Sequence, residues 1–273
     1  MPPNTDTVLY EKRDRVAWIT LNRPEAMNAL NPEISLGIKE GIDEATADDD
    51  VLVVVLIGNG GRAFCAGMDL KWRAQEDAAG GTDMSGDDVG PGTGLDAVGQ
   101  CPKPVIAAID GYALAGGMQL SNRCDMRIAT RKSRFGMPEA RRALAAVGVE
   151  DTPELFTTAG EAAWILLTGG HMTAERAYQN GLVQVLVEDR DELIQAAEDL
   201  AGEVKLCAPL AIRAIKETLR TKRNMPAPNP GQTELDKLSE LTAEVKEVNN
   251  NSEDRLEGPL AFAEKRDPNW KNR

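Results

Sequence analysis

The sequence P-V-I-A-A-I-D-G-Y-A-L-A-G-G-M-Q-L-S-N-R-C-D-M-R-I-A-T occupies residues 104–130, and R-F-G-M-P-E follows at 134–139. Residues 105–109 are apolar and largely β-branched, and they are bounded by Pro104 and by Asp110-Gly111, which is typical of a buried parallel strand. A glycine-rich turn, the start of a helix, a second strand and an acid directly after a proline follow in that order. This stretch therefore predicts the centre of an α/β fold.

The turn Ala115-Gly116-Gly117 has a predicted function of its own. Small residues at a helix N-terminus leave backbone N–H groups uncovered, and a developing negative charge is stabilised there. The same glycines would also permit close packing of the helix on the strand. The residues of the turn alone favour neither interpretation.

The overall charge narrows the range of partners. The chain of 273 residues carries a formal net charge of −13. Such a charge argues against nucleic acid and against an anionic membrane surface as partners. It does not exclude small anionic ligands, which helix dipoles and a few cations hold locally. No run of apolar residues approaches the length of a membrane span, and no secretory signal is visible.

The cysteine and histidine content argues against disulfides and metal. The four cysteines, Cys65, Cys101, Cys124 and Cys207, are scattered and form no C-x-x-C pair, so we expect reduced thiols in a cytoplasmic protein. The single histidine, His171, rules out a metal site built from several histidines, and its place in a polar connector, T-G-G-H-M-T, predicts a surface residue.

Predicted strands and helices alternate up to about residue 187, and helices alone follow. Residues 51–57 and 62–70 repeat the pattern of a central strand, a glycine-rich turn and the start of a helix. The Gly-, Asp-, Ser- and Thr-rich segment 75–94 predicts a surface loop. We expect a core domain at 1–200 and a C-terminal helical region at 201–273.

The other elements follow from periodicity and capping residues. We expect an N-terminal hairpin turned at 12–14 and a helix that starts at Asn31-Pro32. The further predicted strands are 125–130, 133–136 and 182–187, and the further predicted helices are one that starts at 152 and those at 161–167, 173–180, 191–206, 209–223, 234–249 and 253–265.

Seven motifs together resemble the crotonase superfamily, also called the enoyl-CoA hydratase/isomerase family. Each motif is weak alone, but their order and spacing along nearly the whole chain are specific. They are L-N-R-P-E-A-M-N-A-L (21–30), F-C-A-G-M-D-L (64–70), K-P-V-I-A-A-I-D-G-Y-A-L-A-G-G (103–117), C-D-M-R-I-A (124–129), R-F-G-M-P-E (134–139), L-T-G (167–169) and E-G-P-L-A-F-A-E-K-R (257–266).

The resemblance implies an α/β fold with a crotonase-like ββα spiral core and a C-terminal helical trimerisation region. It also implies a homotrimer or homohexamer, an acyl-CoA thioester as substrate, and no cofactor apart from the coenzyme A of that thioester. In the family two backbone N–H groups bind the thioester oxygen as it becomes an enolate, and those positions match Ala66 and Gly116. Both follow a predicted strand and are expected to open a helix.

The resemblance places further residues in the substrate site. Ala66, Gly67, Met68 and Asp69 would line the loop on the coenzyme A side. Near the C-terminus, Phe262 and Lys265 match positions that in some relatives touch coenzyme A bound to a neighbouring subunit.

The catalytic residues depart from the pattern of a hydratase. Family hydratases hold a water between two glutamates, and here these positions are Gln119 and Glu139. An amide can orient water but cannot exchange its proton near neutral pH. A double-bond shift from C2–C3 to C3–C4 or the reverse needs only one base, so the chemistry favours isomerisation with Glu139 as single acid/base, whereas the frequency of activities in the family favours hydration.

Three alternatives remain open from the sequence. Glu150 or Asp151 would be a replacement acid, although capping of the following helix is the preferred interpretation. Val147 stands where a related dienoyl isomerase has an aspartate, so that chemistry is not supported. Arg141 and Arg142 would reach a phosphate or carboxylate if they were not solvated surface. The protein would instead be an acyl-CoA hydrolase or C–C bond-cleaving enzyme of the superfamily, or a non-catalytic acyl-CoA binding protein.

Overall fold

Two β-sheets form the frame of the structure, a computed structural model that describes residues 5–79, 90, 92–143, 157–223 and 231–273. Neighbouring strands are parallel except for the first pair of the larger sheet and the last pair of the smaller sheet. The larger sheet has the order β1 (Val8–Arg13), β2 (Val16–Leu21), β3 (Val53–Gly58), β5 (Val105–Ile109), β7 (Met126–Thr130) and β10 (Val185–Val187). The smaller sheet has the order β4 (Ala63–Cys65), β6 (Tyr112–Leu114), β8 (Arg134–Gly136) and β9 (His171–Thr173).

The chain passes from the larger sheet to the smaller sheet three times in succession. β3 is followed by β4, β5 by β6 and β7 by β8. Helices α2 (Leu70–Ala78) and α3 (Thr93–Gln100) follow β4, and α4 (Gly116–Arg123) follows β6. A repeated unit of two strands and a helix is the ββα spiral predicted from the sequence, so the predicted fold class is confirmed.

The larger sheet is covered by helices on both faces. Val54 and Leu56 of β3 lie in one hydrophobic cluster with α1 (Pro32–Ala47), and Val53 and Val55 lie in a second cluster with α7 (Arg190–Lys205). A strand that is buried on both faces needs apolar residues without alternation. This is why β3 and β5 are unbroken apolar runs in the sequence.

The remaining helices lie close to their predicted ranges. The predicted division at residue 200 stays a prediction, since α7 spans it and packs Ala197 and Ala201 against the larger sheet. The predicted helix start at 152 and the acids Glu150 and Asp151 lie outside the described residues, as does most of the predicted loop 75–94. The helices are α5 (Ala159–Thr168), α6 (Ala174–Gln179), α8 (Pro209–Arg223), α9 (Gln232–Asn250) and α10 (Asp254–Glu264).

Three local predictions need correction. β1 continues to Arg13, and the hairpin turns at Asp14 and Arg15, which both adopt a positive φ. His171 begins strand β9 and pairs with Gly136 rather than lying in a connector, although it is exposed as expected. Residues 75–78 belong to α2 and not to a loop.

The segment 62–70, which follows the glycine-rich turn, also differs from the prediction. It forms strand β4, and helix α2 begins only at Leu70, so Ala66 does not open a helix. Asp69 is the capping residue, because its side chain accepts hydrogen bonds from the N–H groups of Lys71 and Trp72. The loop before it contains Gly67, whose φ of +92° a helix cannot accommodate.

Within the described ranges, no helix is long and apolar enough to cross a membrane, and no group of three or more His, Cys, Asp or Glu residues is arranged to hold a metal ion. All four cysteines are free thiols; Cys65, Cys101 and Cys124 are buried and Cys207 is exposed.

Asn28 connects the N-terminal motif to the turn between β3 and β4. Its side chain is fully buried; the amide nitrogen donates to the carbonyls of Asn59 (3.1 Å) and Ala63 (2.8 Å), and the amide oxygen accepts from the N–H of Arg23 (2.9 Å). Both N–H donors and the oxygen acceptor of the Asn28 side chain are therefore hydrogen-bonded in the protein interior.

We expect Asn28→Asp to lower the free energy of unfolding by about 3 kcal/mol, because a carboxylate cannot donate to the two carbonyls and adds a buried charge. Urea denaturation at neutral pH measures this loss. Asn251→Asp makes the same chemical change at an exposed position and should cost less than about 0.5 kcal/mol. Equal losses in the two variants would contradict the assigned role of Asn28.

Candidate active site

The candidate site lies where three neighbouring strands of the smaller sheet end. β4, β6 and β8 are parallel, with Cys65 paired to Ala113 and Leu114 paired to Gly136. Because the carboxyl ends of parallel strands meet at one edge, the segments that follow them are neighbours. The predicted site residues are distributed over these segments: 66–69, 115–119 and 137–139.

The loop after β4 is held by the N-terminal motif. The Ala66 N–H donates to the carbonyl of Met27 (3.1 Å), the Leu30 N–H donates to the carbonyl of Gly67 (2.7 Å), and the Asp69 N–H donates to the carbonyl of Leu30 (2.8 Å). The loop is therefore fixed by backbone hydrogen bonds to a segment that is distant in the sequence.

These hydrogen bonds do not fit the predicted role of Ala66. Its N–H is engaged inside the protein and is not available to a substrate oxygen. The Gly67 N–H lies against the sulfur of Cys65, and burial raises the pKa of this thiol to about 12. The Asp69 N–H is also bonded. Of the four N–H groups in the loop, that of Met68 is the one with no acceptor among the described residues.

The segment after β6 places a second N–H beside the first. Gly116 is the first residue of α4, and its N–H also has no acceptor in the described part of the chain. A Cβ atom on Gly116 would lie 3.8 Å from the Met68 nitrogen and 3.6 Å from the Gly67 Cα. The preceding Ala115 is fixed to β8, because its N–H donates to the Gly136 carbonyl (2.8 Å).

Backbone strain and two glycines make this approach possible. Ala115 adopts φ +51° and ψ −127°, which is unfavourable for a residue with a side chain. A Cβ on Gly67 would lie 2.7 Å from that of Ala115, and one on Gly117 would lie 2.0 Å from the Cys65 carbonyl oxygen. Of the two functions predicted for the glycine turn, Gly117 therefore permits the close packing, and Gly116 is the candidate for the uncovered N–H.

An ion pair not anticipated from the sequence supports the first loop. Arg23 donates to the Asp69 carboxylate (3.0 Å) and to the Ala29 carbonyl (2.9 Å), and both charged side chains are mostly buried. Burial alone would raise the pKa of Asp69, but hydrogen bonds from the N–H groups of Trp72 and Lys71 and from Arg23 lower it. The arginine of the L-N-R-P motif was the available signal.

Glu139 lies just beyond the end of β8, in a short 3-10 helix, Pro138–Arg142. Its side chain is half-buried, and Oε2 is buried with no hydrogen-bond partner in the described structure. Burial raises the pKa of this carboxyl, against the opposing effects of its own backbone N–H and of Arg142. An acid that is desolvated and not neutralised by an ion pair is suited to proton transfer near neutral pH.

Gln119 lies one helical turn after Gly116 on α4 and is half-buried. Its backbone N–H donates to the Ala115 carbonyl (3.0 Å), which fixes the first turn of the helix. The structure therefore puts an amide, rather than a second acid, on the helix whose first N–H is a candidate donor.

Other candidate residues have different surroundings. Arg141 and Arg142 are exposed, as predicted, and Nε of Arg141 donates to the Thr168 carbonyl at the end of α5 (2.8 Å). His171 has a pKa lowered by burial and by nearby arginines. Val147 lies outside the described residues.

Comparison with known proteins agrees with this arrangement. The model of the enoyl-CoA hydratase/isomerase family matches residues 11–273. A carnitinyl-CoA dehydratase of Salmonella typhimurium is 37% identical over 261 residues, which cover 93% of this chain and 94% of the relative. An enoyl-CoA hydratase of Mycobacterium tuberculosis is 36% identical over 275 residues, which cover 97% and 96%.

A solved structure extends the likeness to the fold. The crystal structure of an enoyl-CoA hydratase from Bacillus anthracis superposes with a TM-score of 0.84 at 31% identity, over 98% of this chain and all of the other. Fold, family match and the motifs at the strand ends agree over nearly the whole length. The chain therefore belongs to the enoyl-CoA hydratase/isomerase family.

Proposed function

We propose that this protein is an enzyme of the hydratase/isomerase type that acts on an unsaturated acyl-CoA through an enolate. The observation that carries the proposal is the pair of adjacent N–H groups, Met68 and Gly116, which have no acceptor among the described residues. Two such donors aimed at one point stabilise negative charge that develops on a thioester oxygen. In this proposal Met68 replaces Ala66 as the first donor.

Glu139 is the proposed acid/base. When its carboxylate takes a proton from C2 of the acyl group, the electron pair of that C–H bond moves into the C1–C2 bond and onto the thioester oxygen. Met68 and Gly116 then hold the resulting enolate. Burial raises the pKa of Glu139 and so brings it closer to the pKa of the C2–H group from which the carboxylate takes the proton.

Gln119 bears on which of two reactions is favoured: isomerisation, whose enolate forms by loss of a proton from carbon, or hydration, whose enolate forms when water adds to C3 of a 2-enoyl thioester. Return of the proton from Glu139 to C4 shifts the double bond and needs no second acid. Hydration needs water to be deprotonated and carbon to be protonated, and an amide performs neither step. We therefore propose double-bond isomerisation as the main reaction, although two relatives carry the names of a dehydratase and a hydratase.

The coenzyme A part of the substrate is proposed to run along the loop after β4. Met68 is exposed in this loop, whereas Gly67 is buried, so Met68 offers the accessible surface. The side chain of Asp69 is engaged with Arg23 and with the start of α2, so its proposed role is to hold the loop and not to bind substrate directly. The proposed reaction uses no cofactor apart from this coenzyme A.

The C-terminal helices are proposed to form a homotrimer, alone or as a pair of trimers. Phe262 is 88% exposed and Leu256 is 72% exposed on α10, and Ile215 and Leu219 are exposed on α8. Both helices contact α9, and exposed apolar side chains in such number are typical of an interface. Sedimentation equilibrium should give three or six times the 29.5 kDa chain mass, and a monomer at micromolar concentration would contradict this proposal.

Gly116→Pro tests the second donor, because proline removes the N–H and is tolerated at the first position of a helix. We expect turnover of 2-enoyl- and 3-enoyl-CoA to fall about 100-fold or more. Gly116→Ala is the matched control: it keeps the N–H, and the one tight contact of its Cβ is with the flexible end of Leu30 at 3.2 Å, the contacts with Gly67 and Met68 being of ordinary length. Equal activity of folded Pro and Ala variants would exclude this N–H from catalysis.

Glu139→Gln should abolish isomerisation, since a neutral amide cannot remove the C2 proton. The wild-type kcat/KM should rise with pH through a pKa above the ordinary value of 4.5, because the base must be ionised and burial raises its pKa. Stopped assays with separation of the products measure both effects. Glu240→Gln, at an exposed position, is the control, and unchanged turnover in Glu139→Gln would reject the assignment.

Gln119→Glu should raise hydration of 2-enoyl-CoA relative to isomerisation, because it supplies the second carboxylate next to an intact pair of donors. The ratio of 3-hydroxyacyl-CoA to 3-enoyl-CoA formed from one substrate is the measurement. A ratio that does not change would show that the residue at 119 does not select the reaction.

A further inference from the structure

Arg127 is a buried cation that contacts the far end of the helix carrying Gly116. It lies on β7, the strand directly after α4, and is 4% exposed. Its Nη1 donates to the carbonyls of Ser121 and Cys124 (both 3.0 Å), and its Nε donates to the carbonyl of Leu182 (2.6 Å). One guanidinium therefore joins the last turn of α4 to the segment before β10.

The last turn of α4 is closed by side chains. Cys124, the residue after the helix, is extended, with φ −72° and ψ 155°, so no left-handed glycine ends the helix. The Ser121 hydroxyl donates to the Met118 carbonyl (2.8 Å), and the Cys124 thiol donates to the Leu120 carbonyl (3.4 Å). Arg127 satisfies the carbonyls of Ser121 and Cys124. A positive charge at this end also complements the helix dipole.

The opposite end of the same helix is under strain. Ala115 keeps its unfavourable φ and ψ only because the surrounding structure fixes it, through Gly136 on one side and Gly117 packed on Cys65 on the other. α4 has eight residues, about 12 Å of helix, so movement of its last turn tilts the first. The direction of the Gly116 N–H depends on that tilt.

We propose that Arg127 is a positioning residue for the oxyanion site: by fixing the last turn of α4 it holds the Gly116 N–H in the direction that an enolate oxygen requires. This inference rests on the proposed function, because it concerns the same pair of donors. It differs from a general role in stability, since it requires a change at the Gly116 end of the helix.

Lys103 supplies a matched control. It is also a buried cation that caps a helix, donating to the carbonyls of Ala45 (2.6 Å) and Asp48 (2.7 Å) at the end of α1. α1 contributes no donor to the proposed oxyanion site. Loss of this cap therefore reports what the removal of a buried capping cation does to stability alone.

The experiment compares two ligands of the purified protein. Acetoacetyl-CoA forms an enolate whose ultraviolet absorbance reports charge on the oxygen, whereas butyryl-CoA binds with a neutral thioester. We expect Arg127→Lys to weaken enolate binding about tenfold, because one ammonium group cannot reach all three carbonyls and the donor becomes misaligned. Butyryl-CoA affinity should change less than about twofold, since a neutral carbonyl gains little from aligned donors.

Thermal denaturation is recorded for each variant, and binding is measured well below the melting temperature. Arg127→Gln, whose amide still donates to one carbonyl of α4, replaces Arg127→Lys if the latter does not fold. Lys103→Met should lower the melting temperature and leave the ratio of the two affinities at the wild-type value.

The outcomes separate the two proposals. A lower ratio of enolate to thioester affinity in the Arg127 variant, with an unchanged ratio in Lys103→Met, supports positioning. An unchanged ratio in a folded Arg127 variant overturns it and leaves the proposed function intact. Absence of the enolate signal in the wild-type protein would instead count against the proposed function itself.

Discussion

The close approach of two backbone segments, the loop after β4 and the turn before α4, is the constraint on which the site depends. Gly67 and Gly117 have no side chains because a Cβ on either would collide with the opposite segment. The N-terminal motif holds the first segment through Met27 and Leu30, and β8 holds the second. The spiral of strands thus brings two N–H groups from different turns close together, and neither has a protein acceptor among the described residues.

Much of this arrangement could be predicted from the sequence. The apolar run of β3, the strand, glycine turn and helix around Gly116, and the capping of α1 by Asn31 all follow from local patterns. The identity of the proposed first donor did not follow. Which N–H of the loop 66–69 is left without an acceptor depends on hydrogen bonds to Met27 and Leu30, which lie far away in the sequence. The Arg23–Asp69 ion pair was missed for the same reason.

The proposed site combines two backbone donors with a single acid. The candidate donors Met68 and Gly116 are backbone groups fixed by packing, whereas the proposed acid/base is Glu139, with the amide Gln119 in the other position of a hydratase pair. Burial of Glu139 costs solvation, but it also raises the pKa of the carboxyl toward the range useful for a base. Arg127 hydrogen-bonds to carbonyls at the end of α4, and in its proposed positioning role it links the packing of the core to the direction of the Gly116 N–H.

The decisive measurement is a crystal structure of the protein with bound acetoacetyl-CoA. We expect the thioester oxygen to lie about 2.7–3.1 Å from the backbone nitrogens of both Met68 and Gly116, with C2 facing the carboxylate of Glu139. An oxygen bound to the Ala66 N–H, or a thioester placed away from the ends of β4 and β6, would contradict it.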